Sequence, residues 1–131
     1  LLNDKEKELR SFYQHVLNLC REEKAISHGA FFDLMYANKG NWLMNEHRQY
    51  VFIRKYENEV LLVLVNFDNM PVHLSVNIPY HAFEYLQIPE YKTVQVTDLL
   101  SGKAETISFA SDKPVAVDLP EWGGKILKMT I

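Results

Sequence analysis

Residues 49–67 read QYVFIRKYENEVLLVLVNF, and the reading of this stretch decides the fold. Two runs rich in Val, Leu, Ile, Tyr and Phe flank the dipeptide Glu57-Asn58. Branched and aromatic side chains suit a pleated, half-buried surface, whereas a polar dipeptide between two such runs suits a tight turn. The pattern predicts a hairpin of Gln49–Tyr56 and Glu59–Phe67, with Asn58 taking a positive φ. Val60–Val65 is apolar at every position. A strand of that kind is expected in the middle of a sheet, covered on both faces.

Working outward, Val72, Leu74, Val76 and Ile78 alternate with polar residues, as a strand with one wet face does. Residues 79–89 break the alternation, and His81–Leu86 fits a short helical turn. Thr93–Leu100, Thr106–Phe109, Val115–Leu119 and Lys125–Ile131 read as further strands. Gly102, Pro114, Pro120 and Gly123-Gly124 punctuate them. Upstream, Phe31–Tyr36 reads as a short strand, residues 37–41 (ANKGN) as a turn, and the residues up to Arg48 as a loop. Residues 3–27 read as one amphipathic helix. Asn3 and Glu6 have the spacing of a capping box. Leu9, Phe12, Tyr13, Val16, Leu17 and Cys20 share one face, and Gly29 fits a left-handed C-cap. The expected fold is mainly β: an antiparallel β-sandwich of about eight strands, Greek-key in type, preceded by one amphipathic α-helix.

Composition narrows the function. The chain has 131 residues and a formal charge of -3. Such a balance offers no basic patch to a nucleic acid. No apolar run approaches the ~20 residues that span a bilayer, so neither nucleic acid nor membrane is expected as a partner. Cys20 is the single cysteine and reads as a small core residue. His15, His28, His47, His73 and His81 are scattered, with no HxH or HExxH spacing, so no metal ligand set is expected. Phosphate-cradling glycine loops and the GxSxG motif are also missing from the sequence.

Three motifs in order carry a resemblance: Tyr50–Arg54 (YVFIR), Leu61–Asp68 (LLVLVNFD) and Asp98–Gly102 (DLLSG). Phe12-Tyr13, Leu17, Arg21, Ala25-Ile26 and Gly29 precede them, and Val115–Pro120, Gly123-Gly124 and Ile126-Leu127 follow. Together they resemble the C-terminal β-domain, domain C, of the α-amylase family of glycoside hydrolases (family 13), with the last barrel helix attached. The resemblance implies that residues 1–28 are the final helix of a catalytic (β/α)8 barrel and that residues 29–131 are the C-terminal sandwich. It implies a parent enzyme that cleaves α-glucosidic bonds in starch or related glucans, with a non-catalytic tail that packs on and stabilises the barrel. Calcium is allowed in the parent's catalytic domain, and no cofactor is implied for this segment. Cytoplasmic, periplasmic and secreted locations all remain open. Leu1 is not Met and no signal sequence follows, so the start is read as a cut within a longer protein or a processing point.

Site residues are weighed against that background. Glycoside hydrolysis needs two carboxyl groups ~5–9.5 Å apart across the scissile bond. Asp33, Glu84, Asp98 and Glu121 fall in none of the family's catalytic motifs, so no catalytic residue is assigned and no hydrolase activity is expected of this chain. Structural roles are assigned to Arg54, Asn66, Asp98 and Gly102. Asp98 and Asn66 can bond turn backbone, Gly102 permits a left-handed residue, and Arg54 can pair with a carboxylate or carbonyl. Trp42, Tyr85 and Trp122 are the candidates for stacking on a sugar. Trp42 stands first among them because Gly40, Asn41 and Asn45 beside it are small or polar. A carbohydrate-binding module is therefore the alternative reading. The helix face of Leu9, Phe12, Val16 and Cys20 is also expected to support weak self-association if its barrel neighbours are absent.

Overall fold

The structure is a computed structural model. It describes residues 3–22, 29–38 and 48–131. Eight strands and two α-helices make up the described chain. Helix α1 covers Asp4–Glu22. Strands β1 (Ala30–Asp33), β2 (Gln49–Tyr56), β3 (Glu59–Asn66) and β4 (Val72–Val76) precede helix α2 (Tyr80–Leu86). Strands β5 (Tyr91–Asp98), β6 (Ala104–Phe109), β7 (Val115–Leu119) and β8 (Gly124–Thr130) follow it. Every pairing is antiparallel. A six-stranded sheet runs β1-β2-β3-β8-β5-β6, and β4 pairs with β7 in a second sheet. The last strand thus returns to the middle of the first sheet, between β3 and β5. The mainly β, antiparallel sandwich expected from the sequence is the fold observed.

The hairpin at residues 49–67 sets the register. Tyr56 faces Glu59 and Gln49 faces Asn66, so β2 and β3 pair along their whole length. Two residues close the turn. The positive φ falls on Glu57 (53°), not on Asn58 as the sequence suggests. Asn58 is held from another direction, because its carbonyl oxygen accepts the Ile131 N–H at 2.8 Å.

Side chains along β3 alternate between two faces, as the pleat requires, and both faces are buried. Val60, Leu62 and Leu64 point into the space between the sheets, where Leu74, Val76, Val115, Val117 and Leu119 meet them. Amphipathic helix α2 closes this core with Ala82, Phe83 and Leu86. Phe83 stands edge-on to Phe109, with ring centroids 5.3 Å apart. Leu61 and Val63 point the opposite way and form a second cluster with Ile126. Leu61 there is 0% exposed, so a second layer covers this face too.

Helix α1 lies over that second face. Its start is fixed by a reciprocal cap: Asn3 Oδ1 accepts the Glu6 N–H at 2.8 Å, and Glu6 Oε2 accepts the Asn3 N–H at 3.4 Å. Lys5 and Glu8 flank a depression with Leu100 and Trp122. His15 Nε2 is 3.0 Å from the Leu99 carbonyl oxygen. At the other end Glu22 stands with Tyr56, Glu59 and Lys128. The predicted helical tail at 23–27, and His28 after it, lie outside the described residues. The same holds for the side chains of Leu9, Phe12, Tyr13, Val16, Leu17 and Cys20.

Two strand boundaries differ from expectation, and the side chains of Asp33 and Asn38 explain them. The strand expected over Phe31–Tyr36 stops at Asp33, where Asp33 Oδ1 accepts the Met35 N–H at 2.8 Å and turns the chain. A 3-10 turn follows over Tyr36–Asn38. Asn38 is buried, and its amide donates to the Leu34 and Asn77 carbonyl oxygens at 2.8 and 3.0 Å. Its Oδ1 accepts the Asn77 N–H at 2.7 Å. That bond takes the Asn77 N–H, and β4 ends at Val76 while Ile78 stays buried.

Gly124 on β8 lies close against the backbone of β3. A Cβ there would run into the Leu64 carbonyl oxygen and sit 3.3 Å from Val65 Cα. Because both obstacles are backbone of a central strand, neither can swing aside. Gly124→Ala is expected to lower stability by about 1–3 kcal/mol, read as a fall in the urea midpoint. An unchanged midpoint would contradict this packing.

Candidate functional site

Four of the residues singled out in the sequence, Asn66, Asp98, Gly102 and Trp122, lie at one end of the sandwich, where three turns meet. The first is the β5–β6 turn. Asp98 is buried, and its carboxylate accepts three hydrogen bonds. Oδ1 accepts the N–H groups of Leu100 (3.1 Å) and Ile126 (3.2 Å), and Oδ2 accepts the Ser101 hydroxyl at 2.7 Å. The Asp98 carbonyl oxygen accepts the Gly102 N–H at 2.7 Å. Gly102 completes the turn with φ +76°, a conformation that costs a residue with a Cβ roughly 1–2 kcal/mol. The carboxylate thus ties its own turn to β8. With all its donors provided by the fold, it is not placed to serve as an acid or base.

The β3–β4 and β7–β8 turns are joined through Asn66. This side chain is 0% exposed and uses its full hydrogen-bonding capacity. Its amide nitrogen donates to the Met70 and Pro120 carbonyl oxygens, each at 3.0 Å. Its Oδ1 accepts from Gln49 Nε2 and from the Asp68 N–H, also at 3.0 Å. Backbone bonds reinforce the joint: Asn66 N–H to Gly123 O at 2.7 Å, and Trp122 N–H to Asp68 O at 3.0 Å. Arg54 lies elsewhere, on β2. Its Nη2 donates to the Gly29 carbonyl oxygen at 3.0 Å, and its guanidinium sits 5.8 Å over the Phe31 ring.

Trp122 stands at the tip of the β7–β8 turn. It is 62% exposed and left-handed, with φ 49°. It lines an open depression of about 1040 Å³ between this turn, the β5–β6 turn and the start of α1. Tyr85 is on α2, at a different place. Its ring packs 5.9 Å from Phe32 and 6.5 Å from His81, and Tyr36 joins the group at 6.0 Å from Phe32. Trp42 lies outside the described residues. Hence Tyr85 and Trp122 do not form one platform.

Around the depression three lysines stand against four carboxylates, one of them the buried Asp98. Lys125 Nζ and Glu105 pair at 2.8 Å on its wall. The Tyr50 phenol and the Glu90 carboxyl are displaced from their usual ranges, and neither lines the depression. The Tyr50 phenol is pushed up, by burial first and by the Asp33 charge second. The Glu90 carboxyl is held low by hydrogen bonds from the Ser111 hydroxyl and then the Ser111 backbone. Among the described residues no group of three or more His, Cys, Asp or Glu is placed to hold a metal ion. No described helix is long and apolar enough to cross a membrane.

Sequence reasoning missed Asn38, and it missed that Lys5 and Glu8 stand beside Trp122. Asn38 carries a faint signal, since Asn next to a Lys-Gly pair marks a turn. The placement of Lys5 and Glu8 carries none, because it depends on where α1 docks. The Asn66 joint has a sharp consequence. Asn66→Ala leaves several buried groups without partners, and the expected loss is about 3 kcal/mol. Chemical denaturation would measure it, and a loss within error of wild type would refute the joint.

No protein-family model matches the sequence, and no curated protein matches it. Solved structures do match its shape. AmyP, solved in complex with maltose, superposes with a TM-score of 0.63 over 97% of this chain and 21% of its own, at 19% identity. An α-amylase from Anoxybacillus gives 0.60 over 99% of this chain and 24% of its own, at 16% identity. The maltogenic α-amylase AmyB from Thermotoga neapolitana gives 0.64 over 95% and 26%, at 13% identity. The chain therefore spans about a fifth to a quarter of the length of these solved chains. Nearly the whole of it, helix α1 included, has the fold of one segment of α-amylase-type enzymes.

Proposed function

We propose that this chain is the C-terminal β-domain of an α-amylase-family glycoside hydrolase that acts on α-glucans, with the last helix of the catalytic barrel attached as α1. Its role is non-catalytic: it packs on the barrel and stabilises it. The observation that carries this reading is the match of nearly the entire chain to about a fifth of an amylase-type chain. The second buried face supports it. Leu61, Val63 and Ile126 are covered on the α1 side of the sheet, so the sheet is built to grip a helix. If that helix belongs to the barrel, the same contact ties the two domains together.

Residues 1–28 then belong to the barrel and residues 29–131 to the domain that caps it. Catalysis resides in the barrel, where two carboxyl groups flank the glucosidic bond. Asp98, the buried carboxylate of the β-domain, is spent on turn bonds. Cleavage chemistry and any calcium are assigned to the catalytic domain.

Reading the coding region upstream of Leu1 tests this directly. Seven βα units with an Asp/Glu/Asp catalytic set are expected, and an unrelated domain there would refute the reading. The isolated chain should also reveal the missing neighbours of α1 through weak self-association. Sedimentation velocity at rising concentration is expected to show a growing dimer fraction, and a strictly monomeric profile with α1 ordered would count against it.

A further inference from the structure

Trp122 is hard to account for by folding. An exposed indole contributes little burial, and a bulky residue at φ 49° is conformationally costly where Gly or Asn would be cheaper. The turn that carries it is nevertheless pinned at three points. Asn66 holds Pro120 O and Gly123 O, and Asp68 O holds the Trp122 N–H. A rigid mount for an exposed aromatic ring is what a stacking contact requires.

The surroundings state what could stack there. The depression beside Trp122 has a volume of about 1040 Å³, ample for several sugar units by the scale of ordinary ligand pockets. Its lining carries Lys5, Lys103 and Lys125 against Glu8, Glu105 and Glu121. Three cations and three anions cancel, and the remaining carboxylate, Asp98, is buried and accepts three hydrogen bonds. Such a lining attracts neither a phosphate nor a free cation. It offers an aromatic face amid many donors and acceptors, which matches a neutral polyhydroxyl chain.

We infer that the groove between Trp122, the β5–β6 turn and the start of α1 is an accessory binding site for an α-glucan. This rests on reading the chain as an amylase-type C-terminal domain, and it adds a location. The groove lies at the N-terminal end of α1, where Lys5 and Glu8 line it. In a (β/α)8 barrel each helix starts at the face that carries the active site. On the proposed reading of α1 as the last barrel helix, the groove thus lies toward the end of the barrel that carries the active site.

The test uses the 131-residue chain and maltoheptaose, followed through the Trp122 indole N–H signal in NMR. A saturable shift with a Kd on the order of 1 mM is expected, with no shift from cellohexaose, the β-linked counterpart. Trp122→Ala should weaken binding by about tenfold or more while Trp122→Phe retains most of it, and Tyr85→Ala should leave it unchanged. The dispersed amide spectrum of each variant reports that it is folded. No shift, a shift that survives Trp122→Ala, or an equal response to cellohexaose would each overturn the inference. None of these outcomes bears on the upstream barrel, so the enzyme-tail reading stands or falls separately.

Discussion

Strand β3 needs cover on both faces, and the rest of the structure follows from that need. Val60, Leu62 and Leu64 face one way and Leu61 faces the other, all without measurable exposure. Full burial of such a side chain is worth about 1.5–3 kcal/mol, so neither face can be left to water cheaply. The first face is served by β4, β7 and α2. The second is served on the side where α1 runs. A sheet placed in this way is the middle of three layers, and its third layer is a helix that comes from outside the β-domain in sequence. That is the arrangement expected of a domain joined to a helical neighbour by shared apolar surface.

Polar side chains then fix what the apolar layers leave loose. Asn66, Asp98 and Asn38 are each buried, and each bonds to backbone of a segment distant in sequence. Buried polar groups of this kind stabilise only when every atom has a partner, and here none of the described buried side-chain atoms lacks one. Two of these three side chains converge on one end of the sandwich. Asn66 also stiffens the turn that carries Trp122, through Pro120 O, while the Trp122 ring is largely exposed. Structural residues and the candidate binding residue are thus parts of one device.

Much of the fold was legible in the sequence because it is written in period and punctuation. The 49–67 hairpin, the central position of Val60–Val65 and the alternation through Val72–Val76 all follow from side-chain spacing. What failed was local and had specific rivals. The strand at Phe31–Tyr36 lost its second half to Asp33 and Asn38, whose side chains compete for the backbone. The left-handed residue in the hairpin turn is Glu57 and not the more tolerant Asn58. The site was less legible than the fold. DLLSG can be read as a turn, but the groove joins Lys5 and Glu8 to residues about a hundred positions away. No local pattern encodes that meeting, because it is set by the docking of α1.

The decisive measurement is the stability and surface of a chain that begins at Gly29, compared with the full 131 residues. If α1 is the cover for Leu61, Val63 and Ile126, its removal should cost about 5 kcal/mol. The shortened chain should then bind a hydrophobic dye and melt well below the full chain, or fail to fold. A shortened chain that stays monomeric, binds no dye and melts at the same temperature would contradict the three-layer arrangement.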